Sequence, residues 1–225
     1  QANVTSVGTL TALTVNGNVS VDGGTIKLDG NYPVGTANVA LGDTALDSLT
    51  TGGYNAAVGY NSLGSNTTAN NNTALGYFSL SANTTGGTNT AVGGQSLLAN
   101  TTANGNTALG YNTLAVNTIG DSNTAVGALA LDANTTASQN TAVGKGALTA
   151  NTTGALNAAF GDGALQTATT ADGNTAVGSG SQLFTTTGAG NVSVGRIALF
   201  YNTTGESNVA IGKEALFSNT TASNN

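Results

Sequence analysis

From Asn38 onward the chain repeats one short pattern of polar and apolar positions. Asn is followed by Thr, Val or Ala, then a small residue, then a larger apolar residue, then Gly. Asn-x-x-x-Gly begins at Asn38, Asn55, Asn72, Asn89, Asn106, Asn123, Asn140, Asn157, Asn174, Asn191 and Asn208, every 17 residues without insertion or deletion. Residues 38–224 are therefore eleven copies, and Asn225 opens a twelfth. The alternation at positions 2 to 4 of each copy predicts a short strand. Self-similarity at a fixed short period predicts that the copies stack as coils of a solenoid.

The copies read NTAVGYNALxxNTTGxx, and aligning them shows which columns are held fixed. Position 3 is Ala in all copies but one, where it is Ser193; position 9 is Leu in all but one, where it is Gln182. Position 4 is always a sizeable apolar residue, from Leu41 and Val58 to Phe160 and Ile211. Position 5 is invariably glycine: Gly42, Gly59, Gly76, Gly93, Gly110, Gly127, Gly144, Gly161, Gly178, Gly195 and Gly212. A strand-ending corner that needs φ > 0 explains that column. The Asn at position 1 is expected to form a ladder, each amide bonding the one above. Asn, Thr and Gly crowd every copy and disfavour helix, although one helical turn at positions 8 and 9 is compatible with the pattern.

Residues 1–37 lack the unit. Apolar pairs at Leu13 and Val15, Val19 and Val21, and Ile26 and Leu28 are separated by Asn16-Gly17 and Gly23-Gly24. This pattern predicts a short β lead-in over 1–37, joined near Pro33 to a solenoid over 38–225. The chain begins without Met and stops where a copy starts, so it is expected to be a piece of a longer protein.

Composition narrows the function classes. The chain has no His, Cys, Met or Trp, and four cations against ten Asp and Glu give a net charge of −6. Without His or Cys, zinc sites of the usual kind, thiol nucleophiles, disulfides and a Ser-His-Asp triad are excluded. Four cations cannot neutralise a nucleic-acid backbone, and no apolar run is long enough to span a membrane. Asp121, Asp132, Asp162 and Asp172 form no column, so no calcium-binding repeat and no carboxylate pair is expected. The chain reads as a non-enzyme without cofactor or metal.

Each copy offers only two large apolar residues, at positions 4 and 9, which leaves a thin core for one chain. The Ala and Ser columns at positions 3 and 8 suggest a second close-packed face for neighbouring chains. The fold expected is an all-β repeat β-solenoid (β-roll or β-helix) of eleven 17-residue coils, elongated, in an intertwined or side-by-side homotrimer.

The NTAVGYNAL…NTTG unit, with the lead-in VTSVGTLTALTVNGNVS at residues 4–20, resembles repeats of bacteriophage tail-fibre and other virion appendage proteins. More distantly it is similar to the head repeats of trimeric autotransporter adhesins, whose unit is about three residues shorter. The resemblance covers nearly the whole chain. It implies a trimeric β-rich shaft or adhesive module outside the cell, in a virion fibre or on a cell surface, with other fibre or virion proteins as partners. It carries no catalytic residues.

Recognition would fall to drifting columns. Position 6 holds Tyr60, Tyr77 and Tyr111, and Phe200 and Tyr201 lie among aromatics gathered at positions 10 and 11 near the C-terminus. Outward, these rings would meet a cell-surface glycan or receptor; inward, they would pack a trimer interface. NTT recurs at Asn66, Asn83 and Asn100, among others, a formal glycosylation acceptor that the repeat itself explains. The paired Thr columns at positions 13 and 14 resemble ice-binding solenoids, although adjacent strand residues point to opposite faces. The function expected is a structural shaft that supports host attachment. The alternatives are a bacterial adhesin module that binds host or neighbour surfaces, and an ice- or glycan-binding solenoid.

Overall fold

Strand formation is confined to the three residues after each Asn, where a small residue alternates with larger or β-branched ones. A computed structural model describing residues 35–225 has eleven such strands, from β1 (Val39–Leu41) to β11 (Val209–Ile211). They form one parallel sheet whose order follows the chain. Pairing joins identical positions of successive coils, as in Thr90↔Thr107, Ala91↔Ala108 and Val92↔Leu109. The protein is thus an all-β parallel solenoid with strands 17 residues apart.

The rest of the coil is irregular but equally well bonded. Between the fourth and fifth coils, the strand contributes Thr90 N–H to Asn106 O at 2.8 Å and Gly110 N–H to Val92 O at 2.8 Å. Beyond the corner, Leu97 N–H donates to Thr113 O at 3.0 Å and Thr101 N–H to Thr118 O at 3.1 Å. Ser122 N–H closes the circuit on Asn104 O at 3.0 Å. Backbone groups all round the coil are satisfied by the neighbouring coil, which is what a stack of short, polar copies requires.

Besides the corner glycine, positions 7, 9 and 17 of each coil are left-handed, and most are held by residues other than Gly. In the fifth coil these are Asn112, Leu114 and Ser122, with φ of 56°, 51° and 58°. The Leu of position 9 therefore sits in a left-handed turn, and no helical turn forms there. Such a conformation is disfavoured for Leu and persists only where its surroundings over-determine it. Here Leu114 is fully buried and its N–H is held by Ala130 O at 3.1 Å.

The interior is built from small and amide side chains around that Leu column. Ala of position 3 and Ala or Ser of position 8 are buried inside the same chain against Leu of position 9. This corrects the expectation that columns 3 and 8 form a face for neighbouring chains. Position 4 points outward, so only one large apolar residue per coil fills the core. A 17-residue coil encloses a narrow cross-section, and Ala fits opposite Leu where Val or Leu at position 3 would not.

Asn of position 1 forms the expected ladder with one difference in detail. Asn123 N–H and Nδ2 both donate to Asn106 Oδ1, at 2.9 and 3.2 Å, while Asn106 Nδ2 donates to Gly120 O at 2.9 Å. The rungs are carried chiefly by backbone N–H groups on side-chain oxygens. The strands expected at residues 13–28 lie outside the described residues. Stacking already includes Thr36, whose carbonyl accepts Tyr54 N–H at 2.8 Å.

Candidate functional site

Chemistry on a solenoid is read from its outward columns. Every position-5 glycine directly follows a strand with φ between 120° and 143°. At Gly110, with φ of 140°, an added Cβ would lie 2.8 Å from the carbonyl carbon of Gly127 in the next coil. These residues turn the chain off the sheet and present no functional group.

The position-6 tyrosines separate into a pair and a single ring. Tyr60 and Tyr77 stack with centroids 5.8 Å apart, and Phe78 meets both edge-on. Gly94 occupies the column in the next coil, so Tyr111 stands apart from them, exposed. At the other end, Phe184 stacks on Tyr201 at 5.6 Å and Phe200 on Phe217 at 5.3 Å, with Phe200 edge-on to Tyr201. Each ring in a stack covers one face of its neighbour. Faces available to a sugar are therefore limited to the ends of the stacks, while ring edges line the surface. Beside Phe184 and Tyr201 lies an apolar hollow of about 440 Å³, walled on the other side by Thr186 and Thr203.

A second hollow of about 390 Å³ follows columns 6, 7 and 10. Its floor is Gly146, Gly163 and Gly180, where other coils carry a side chain, and Lys145, Asp162 and Arg196 stand along it. Among the described residues the ion pair Lys213–Glu214, at 3.3 Å, lies outside this hollow. No group of three or more His, Cys, Asp or Glu that could hold a metal occurs among the described residues.

The Thr columns behave differently from one another. Position 13 hydroxyls donate to the carbonyl one coil on, as Thr84 Oγ1 does to Thr101 O at 3.0 Å, while position 14 is exposed. Both lie outside the core because the chain bends there instead of continuing as a strand. The Asn of NTT is buried: Asn83 Nδ2 donates to Asn66 Oδ1 at 3.0 Å and to Gly86 O at 2.9 Å. That column is a second internal amide ladder, which its fixed spacing from the position-1 Asn could have suggested.

The longest uniform surface is the outer face of the sheet, formed by columns 2 and 4. Column 4 is apolar throughout; it is exposed at Leu41 (49%), Leu75 (46%), Leu109 (45%) and from Phe160 onward, and half-buried at Val58, Val92, Val126 and Val143. Comparison with protein-family models, curated proteins and solved structures finds no match.

Proposed function

We propose that the chain is a structural rod: a shaft segment of a multi-chain fibre that supports attachment, of the kind found in virion appendages. The observation that carries this reading is the unbroken coil register. Eleven coils stack without one inserted loop, whereas binding modules tend to grow loops on a working face. At a coil rise of about 4.8 Å the eleven coils give a rod on the order of 50 Å long. Self-association with further copies, other fibre components as partners and a place outside the cell belong to the same proposal.

The aromatic cluster at Phe184, Phe200, Tyr201 and Phe217 favours one alternative, direct adhesion. Small-angle scattering and adsorption of labelled protein to a panel of bacterial and animal cells test the two. A shaft gives an elongated particle without saturable binding. Saturable binding that is lost in Phe184→Ala/Tyr201→Ala transfers the function to adhesion. A compact particle removes the rod reading.

A further inference from the structure

We infer that the outward face of the sheet, columns 2 and 4, is the surface on which further copies of this same chain pack, parallel and in coil register. The inference deepens the multi-chain rod reading by naming its contact.

Column 4 faces outward, exposed or half-buried, yet it is held apolar in every coil. Residues pointing to water drift or stay polar: position 6 runs through Asp43, Tyr60, Gly94, Lys145 and Arg196, and exposed position 14 is Thr in every coil except at Ile119. Position 4 points outward as well, yet it is Val, Leu, Ile or Phe in every coil. Strand propensity does not explain this. Position 2 lies on the same face of the same strand and takes Thr in six coils, a residue equally suited to strands, whereas position 4 never does. The demand for an apolar side chain at position 4 comes from outside the chain.

Eleven coils under one constraint need a partner that is itself constant along the whole rod. An irregular protein surface would select different residues at different coils. Another copy, aligned alongside with the same coil rise, offers each coil the same neighbour. Columns 2 and 4 carry no charged residue in any coil, so two chains of net charge −6 can meet there without opposing carboxylates.

Size and fit agree. The face is about 50 Å long and about 10 Å wide. Two such faces together remove on the order of 1,000 Å² from water, which is where specific interfaces begin. The bulkiest residue of column 4, Phe160, shares its strand with one of the smallest residues of column 2, Ala158. In a parallel, in-register packing, coil meets like coil, and Phe160 of one copy lies over Ala158 of the next.

The test is native mass by light scattering for the intact chain and for Val126→Asp/Val143→Asp, with Tyr111→Asp/Ser179→Asp on the exposed, drifting column 6 as control. Circular dichroism reports whether each remains folded. The chain and the control are expected at a multiple of 21.7 kDa, and the column-4 variant at 21.7 kDa while still folded. If the Asp variant unfolds, Val126→Thr/Val143→Thr keeps strand propensity and is expected to raise the concentration for half-assembly about tenfold or more. A monomeric wild type, or a folded column-4 variant that assembles like wild type, overturns the inference. An elongated monomer would leave the rod reading intact while removing this contact. Because the chain has no Cys, a single Val58→Cys reports orientation. Because column 4 of one copy lies over column 2 of the next, parallel copies are linked with Val58→Cys alone by a short bismaleimide spacer and not by a direct disulfide. Linkage only in a mixture with Val194→Cys shows antiparallel packing and overturns the parallel arrangement.

Discussion

Gln182 Nε2 donates a hydrogen bond of 2.9 Å to Ser193 Oγ, and each residue is the single exception in its core column. Gln182 stands where every other coil has Leu, and Ser193 where every other coil has Ala. Gln182 Nε2 also reaches Thr175 O at 2.9 Å, and Ser181 bonds Ser193 from below. The two departures thus satisfy each other. They also interrupt the apolar interior, which ends at Ala176 on one side and resumes at Ala198 on the other. Gln182 Oε1 is left buried without a partner.

A polar seam of this kind responds unequally to single and double replacement. Ser193→Ala removes an acceptor from a buried amide and is expected to cost about 1–3 kcal/mol. Gln182→Leu/Ser193→Ala restores both columns and joins the two parts of the core, so it is expected to exceed the wild type in stability. Urea unfolding followed by circular dichroism checks both. A double variant less stable than Ser193→Ala alone would show that the seam is not a weak layer.

The second Asn ladder contains a comparable defect with a simpler remedy. Asn151 Nδ2 donates to Asn134 Oδ1 at 3.0 Å, but Asn151 Oδ1 is buried and unpartnered. The next coil has Ala168 in that column, so the donor that would continue the ladder is missing. Ala168→Asn is expected to donate to Asn151 and stabilise the rod by about 1 kcal/mol. A fall in melting temperature would mean that the column cannot hold an amide above Thr185.

The corner glycines make a sharper claim. Gly110→Ala places a methyl group against the Gly127 carbonyl of the next coil in a conformation that L residues rarely adopt. It is expected to cost at least about 1–3 kcal/mol through backbone strain alone. Tyr111→Ser, one residue on and 61% exposed, is expected to change stability by less than about 0.5 kcal/mol. Equal losses in thermal melts of the two variants would remove the distinction between corner and surface.

The strand, the coil length and the Asn ladder were legible in the repeat because each depends on spacing alone. Which side of the strand faces inward was not. Alternation separates Ala91 from Thr90 and Val92 without assigning either set to the core, and ordinary hydrophobic ranking would bury Val92. The narrow coil decides otherwise, since Ala91 is the residue that fits opposite Leu97. The left-handed Leu column was equally hidden, because nothing in a Leu signals positive φ; the bonds from adjacent coils impose it. The pairing of Tyr60 with Tyr77 follows from the period, but their mutual stacking, which covers ring faces, depends on rotamers that a sequence does not fix.

Asp132 gives the pH dependence a direction opposite to that of a salt-bridged acid. Burial pushes its carboxyl above the usual range, and hydrogen bonds from the backbone of Ala133 and of Asp132 itself only partly oppose this. Its Oδ1 is buried without a partner. The folded state therefore binds the proton more tightly than the unfolded chain does. This group favours folding most below the ordinary carboxylate value, and its contribution falls as pH rises toward the raised folded value, remaining unfavourable above both. Asp132→Asn has no such charge to hold. It is expected to be more stable than wild type at pH 7, by less than about 1 kcal/mol because the group still meets solvent, and to match wild type near pH 3. Urea midpoints of both proteins at pH 3 and pH 7 provide the check, and a difference of the same size at both pH values would rule out the carboxylate charge as its cause.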